Sequence, residues 1–121
     1  MNDQEQLNKF LSEQDYMTIA VTLDDGTPWV TPVRIKQWEG AAFEWMSKTD
    51  TEHSRAIAVR PQVALSMYTP GGDTTIQFGF YATATAELLS EQDGMGHYKA
   101  SVTKSWINDA TFVKREVSLN A

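Results

Sequence analysis

Residues 28–68 read PWVTPVRIKQWEGAAFEWMSKTDTEHSRAIAVRPQVALSMY, and this stretch decides the fold. Two alternating segments, Trp29–Lys36 and Ala42–Ser47, are separated by the short turn Glu39-Gly40. In the first, Trp29, Thr31, Val33 and Ile35 share one side and Val30, Pro32, Arg34 and Lys36 the other, as a period of two requires. In the second, Phe43 and Trp45 oppose Ala42, Glu44 and Met46. A helix over Asp50–Val59 comes next. Thr49 can cap it, with Glu52 completing a capping box. Ala56, Ile57 and Val59 supply its apolar contacts, and Pro61 prevents its continuation. Val63–Tyr68 is a third apolar strand. Pro32 cannot donate to a ladder, so its own strand is an edge or carries a bulge there.

Working outward, the chain opens on a helix that Asn2 or Asp3 can cap, with Leu7, Phe10 and Leu11 at helical spacing. Tyr16–Leu23 alternates, placing Met17, Ile19, Val21 and Leu23 on one face. Asp24-Asp25-Gly26-Thr27 reads as a hairpin turn, because Asp-Gly accommodates positive φ. Thr69-Pro70-Gly71-Gly72-Asp73 is a second turn. Thr74–Leu89 reads as one long strand bent at Gly79. Gly94 and Gly96 interrupt the next segment, His97–Ile107 reads as a weak helix, and Thr111–Leu119 as a last strand. There is no internal repeat, linker or boundary, so residues 1–121 are expected to form one domain. Its class is mainly β with short helices, a small antiparallel barrel.

Composition narrows the function. The chain has 121 residues, enough for a real core, and a net charge of −6. Its ten basic residues are scattered, which argues against nucleic acid as a partner. No apolar run approaches the roughly 18 residues that span a bilayer, so no membrane role is expected. The polar start MNDQEQLNKF is no secretory signal, and the absence of Cys excludes disulfides and thiolate chemistry. The expected location is the cytoplasm. His53 and His97 are the only histidines, neither with an acidic residue at metal-ligand spacing, so no metal site is expected. No Gly-x-Ser-x-Gly elbow and no glycine-rich phosphate loop appears. Chemistry, if there is any, has to come from a bound cofactor.

The order strand, turn, strand, helix, strand over residues 28–68 resembles the split barrel that binds flavin mononucleotide (FMN) in the pyridoxamine 5'-phosphate oxidase family, in its general-stress-protein-like branch. The resemblance implies a six-stranded antiparallel split β-barrel and a homodimer with flavin at the interface. It places Thr31, Pro32, Val33, Arg34, Ile35 and Lys36 along the flavin, the first three through backbone contacts to the polar edge of the ring. Met46 and Ser47 fall where the family holds the ring edge. Glu52 and His53 fall where it binds the phosphate, usually through Lys or Arg. The helix N-terminus, Ser47, Lys36 and His53 are then the phosphate donors. The match fades after Ser90, and the Arg and His residues of the family's longer C-terminal segment have no counterpart, so pyridoxamine-phosphate oxidation is not expected.

Each of these residues has a plainer reading. Thr31–Val33 would be an ordinary strand, Arg34 an exposed strand residue, and His53 a helix-face residue touching Ile57. Gln77 lies two positions from a family glutamine that contacts flavin. Trp29 and Trp45 read as core, while Trp106 is the candidate dimer contact. Three functions are compatible with these residues: an FMN-dependent oxidoreductase acting on a small substrate, a barrel that holds deazaflavin or haem or sequesters flavin, and a cofactor-free dimer.

Overall fold

The computed structural model of the chain describes residues 2–71 and 76–119. The turn expected at Gly72-Asp73, and the start of the following strand at Thr74, lie outside the described residues. Helix α1 (Asp3–Ser12) is capped by Asn2, whose side chain accepts from Glu5 N at 2.8 Å while the Glu5 carboxylate accepts from Asn2 N at 3.4 Å. Its buried face is Leu7, Phe10 and Leu11. Strands β1 (Tyr16–Thr22), β2 (Pro28–Arg34), β3 (Gln37–Glu39) and β4 (Ala42–Lys48) lead to helix α2 (Glu52–Val59). Strands β5 (Gln62–Pro70), β6 (Ile76–Gln92), β7 (Met95–Asp109) and β8 (Arg115–Val117) complete the order.

Every ladder is antiparallel, in the order β2-β1-β5-β6-β7-β4-β3, with β8 on β7. β2 and β3 stand at opposite ends of this order, yet Ile35 and Lys36 alone separate them in sequence. Ile35 N donates to Asp15 O at 2.8 Å on the β1 side, and Lys36 N donates to Glu44 O at 2.8 Å on β4. The chain thus crosses from one sheet edge to the other and curls the sheet into a barrel. Counted as one bent strand, β2–β3 makes the sixth stave. The expected segment Trp29–Lys36 therefore ends at Arg34, and its continuation pairs elsewhere.

Inward side chains fill the barrel. Phe43, Trp45 and Phe80 are fully buried, and Met17, Ile19 and Val21 bury the predicted face of β1. Phe43 packs on Phe80 with centroids 6.1 Å apart, and Trp45 stacks on Tyr98 at 5.6 Å. The β1–β2 turn has Gly26 at φ 86°, as Asp-Gly predicts. Arg60 pins this turn, donating to Thr22 O at 2.8 Å and to Asp24 at 2.7 Å. Pro32 sits in β2, which pairs with β1 in unbroken register and with no other strand among the described residues. Of the two readings, edge strand is the correct one.

Several expectations are corrected. His97–Ile107 is not helical; it lies within β7 and pairs with β6 throughout. The Asp93-Gly94 turn, with φ of 55° and 80°, joins the two strands as a two-residue hairpin. No register shift falls at Gly79, where a bend was expected; the shifts lie at Thr69/Pro70, opposite Phe78, and at Thr83/Ala84 and Leu88/Ser90. Gly79 is small for another reason, since a Cβ there would stand 2.5 Å from Asn108 Oδ1. Helix α2 is capped by Thr51, not Thr49: Thr51 Oγ1 accepts from Ser54 N at 3.2 Å. Thr49 is occupied elsewhere, its hydroxyl donating to Glu91 at 3.0 Å. Val59 is 66% exposed and Trp29 43% exposed, so neither is core. The last strand is confined to Arg115–Val117.

Candidate functional site

Eight of the residues singled out in the sequence fall into two groups, because successive strand residues leave on opposite faces. Val33 is buried in the barrel and Thr31 half-buried on the same side of β2. Ser47 faces with them across the barrel mouth, bonded to His53 at 3.0 Å between Oγ and Nε2. Pro32, Arg34, Lys36 and Met46 are exposed. Lys36 Nζ lies 3.8 Å from Met46 Sδ, and the Arg34 guanidinium sits 5.6 Å over the Tyr16 ring. Lys36 and Ser47 therefore approach β4 from different sides.

His53 is neither a free cation nor an ordinary helix-face residue. It is 8% exposed in the first turn of α2, beside buried Ser54. Desolvation by burial pushes its ring below the ordinary imidazole value of 6.5. The ring is thus neutral at neutral pH and exchanges a hydrogen bond with Ser47. In the unfolded chain it takes a proton near 6.5, whereas in the fold it resists until lower pH. Stability from this group is full above 6.5 and is lost as pH falls through the folded value. Chemical-unfolding midpoints taken from neutral to mildly acidic pH should therefore decline in the wild type. His53→Gln should flatten that decline, and an identical slope in both proteins would show that His53 does not carry it.

The donors near α2 can be tested against a phosphate. Thr51 caps the Ser54 N–H, while the N–H groups of Glu52 and His53 precede the helical ladder. With the Ser47 hydroxyl these make a small anion-compatible set. Glu52 is exposed and 3.9 Å from Arg55, so its carboxylate is not folded back onto a cap. Positive charge comes from the outer side of β4, where Lys36 and Lys48 are exposed. The donors that could meet a phosphate are thus the backbone N–H groups and the Ser47 hydroxyl, with lysine charge on the other side of β4 and none from His53.

Glu44 and His97 escaped the sequence reading. They face each other on the outer side of β4 and β7, Oε1 to Nε2 at 2.7 Å, next to Met46, which pairs with His97 in register. The Asp93-Gly94 hairpin was the signal that could have put His97 in a strand, opposite Ser90 of β6, but its place beside β4 comes from a non-local ladder that leaves no local mark. Gln77 is exposed on β6. Beyond β2, the outer face of β1, β5 and β6 holds a shallow hollow of 420 Å³ lined by Thr18, Ala20, Val30, Tyr81, Trp106 and Lys114, among others. Trp106, half-buried, lies in it. No helix among the described residues is long and apolar enough to cross a membrane.

Residues 3–119 match the pyridoxamine 5'-phosphate oxidase family. No curated protein sequence matches the chain. Among solved structures, a haem-binding protein from Mycobacterium smegmatis superposes with a TM-score of 0.82 at 12% identity, over 98% of this chain and 58% of that one. The chain thus spans little more than half of that protein's length. A protein from Clostridium acetobutylicum related to general stress protein 26 of B. subtilis (pyridoxinephosphate oxidase family) gives 0.79 at 10% identity, covering 98% and 96%. An FAD-binding protein from Mesorhizobium loti gives 0.72 at 12%, covering 88% and 92%. At these identities the likeness is one of fold, and the fold is the antiparallel split barrel expected from residues 28–68.

Proposed function

Because the chain belongs to the pyridoxamine 5'-phosphate oxidase family, we propose that it binds FMN at the interface of a homodimer and serves flavin-dependent oxidation or reduction of a small substrate. One observation carries this reading: the open edge of β2, which α2 flanks and which runs into Lys36. Alternate residues of an edge strand turn N–H and C=O away from the sheet, and these groups can meet the polar edge of a flat ring. Pro32, which has no N–H to give β1, turns its C=O to that edge, and Thr31 and Val33 on either side, bonded to β1, hold it there. Met46 borders the ring, with Arg34 beyond it. The Ser47 hydroxyl and the first-turn N–H groups of α2 hold the phosphate at the barrel mouth, and Lys36 adds its charge from the outer side of β4. His53 orients Ser47 and adds no charge. Bound flavin supplies reversible electron or hydride transfer; the protein binds it, orients it and keeps water from one face.

Exposed Glu52 beside a neutral His53 favours a second reading, a barrel that sequesters haem or deazaflavin or does without a cofactor. The absorption spectrum of the purified protein separates the two. Flavin bands, with FMN released on denaturation, support the first; a haem spectrum, or a colourless protein that ignores added FMN, overturns it. Lys36→Met keeps the stem and removes the charge, so it should weaken FMN by about ten- to a hundredfold, about 1.5–3 kcal/mol. Unchanged affinity by titration would mean that the phosphate lies elsewhere.

A further inference from the structure

The turn between β7 and β8 holds an aromatic side chain out in water within a rigid frame. The Asp109 carboxylate accepts from Thr111 N at 3.0 Å and from Thr111 Oγ1 at 2.6 Å. Asp109 O accepts from Phe112 N at 3.0 Å. Arg115 donates to Asp109 at 3.1 Å, to Val113 O at 3.0 Å and to Asp3 of α1 at 3.2 Å. The bonds from Thr111 first, then Arg115, hold the Asp109 carboxyl below its usual range. Inside this frame Phe112 adopts φ of 62°, a left-handed conformation that bulky residues rarely enter. Its side chain is 73% exposed, and Val113 beside it is exposed too. The fold strains its backbone to present this ring rather than to bury it.

The turn borders the hollow on the outer face. Lys114 lines it and lies 4.4 Å over the Tyr81 ring, yet Phe112 is not among its walls. We propose that Phe112, with Val113, is a knob received by this hollow in a second copy of the chain, reciprocally about a twofold axis. The proposal rests on the homodimer reading above. Charge identifies the occupant. The chain carries 16 Asp and Glu residues and a net charge of −6, yet β1, β2 and β5 contain no carboxylate, and neither does β6 from Gln77 to Ala86; Glu116 of β8, paired with Trp106, stands at the border of this face. Copies of an acidic protein repel each other except where such a face meets itself, and a twofold axis brings the same patch of both into contact.

Sedimentation of the wild type, Phe112→Gly, Phe112→Asn and Val30→Ser tests this. Glycine and asparagine tolerate the left-handed conformation, so both variants keep the turn while removing the ring. Each should raise the dimer dissociation constant about tenfold or more, as loss of an aromatic anchor does. The unfolding midpoint of the dissociated protein should be unchanged or raised. Phe112→Asn combined with Val30→Ser should weaken the dimer less than the product of the two single effects, because knob and hollow are one contact. A dimeric wild type with unaltered Phe112 variants, or with a fully multiplicative pair, overturns the knob alone. A wild type that stays monomeric at micromolar concentration overturns the homodimer reading and the knob with it.

Discussion

Trp45→Ala is expected to cost about 3–5 kcal/mol of stability, a large share of the roughly 5–15 kcal/mol that separates a typical folded domain from its unfolded chain. Trp45 is 0% exposed, lies in β4 between β3 and β7, and stacks on Tyr98 with its ring tilted by 13°. Its neighbours cannot close the gap. Tyr98 is itself pinned by Gly96, where a Cβ would stand 2.5 Å from the Tyr98 ring. Trp45→Phe divides the effect into its parts. Trp45 Nε1 is buried without a hydrogen-bond partner among the described residues, a loss of about 1–3 kcal/mol in desolvation that phenylalanine would not suffer. The smaller ring forfeits packing of similar size, so Trp45→Phe should fall within about 1 kcal/mol of the wild type. Urea midpoints at unchanged slope measure both variants. A cost below about 1.5 kcal/mol for the alanine would place the centre of the core elsewhere.

The parts of this fold that could be read from sequence are those where side-chain size and turn chemistry agree. In Tyr16–Leu23 and Ala42–Ser47 large apolar residues alternate with polar ones, and Asp25-Gly26 marks the turn. β7 defeats the same reading because its inward positions include Gly96, Ala100 and Ser105, too small to show a period, beside Tyr98 and Ile107. His97–Ile107 therefore reads as a weak helix. Asp93-Gly94 outweighs it, since two positive φ values in a row specify a hairpin. At α2 the motif Thr49-x-x-Glu52 mimics a capping box, but two residues later Thr51 offers the same chemistry, and Glu91 takes the Thr49 hydroxyl. That competition is tertiary and leaves no local mark.

For the candidate site, the sequence identifies the segments but not which side of the sheet each residue takes up. Met46 and Ser47 are neighbours in the chain and lie on opposite faces of β4, which strand alternation alone predicts once the strand is granted. The burial that neutralises His53 is another matter. It arises from α2 closing over the barrel mouth, and nothing within residues 47–53 announces it. The crossing of Ile35-Lys36 is equally unmarked, although it decides that Lys36 follows β2 while its backbone bonds to β4.

On the proposed reading of a flavin-binding homodimer, Ala64→Glu should abolish both the dimer and its cofactor while leaving the barrel folded. Ala64 is an exposed residue of β5 that pairs with Ala20 of β1 and Thr83 of β6, in the middle of the carboxylate-free face. Its side chain points away from the core, so the folded chain should change by no more than about 0.5 kcal/mol. At a twofold interface one substitution buries two like charges. An uncompensated buried charge costs about 3–5 kcal/mol, which raises the dissociation constant by roughly a hundred- to a few-thousandfold. Ala64→Gln has the same size without the charge and should cost about 1–3 kcal/mol. The difference between the two variants is the electrostatic part. If flavin is held by both copies, the absorbance should leave with the dimer in Ala64→Glu. Light scattering and the visible spectrum, read on the same sample, distinguish the cases. An intact Ala64→Glu dimer would move the interface off this face. A monomer that keeps its flavin would place the whole site within one chain, at the edge of β2.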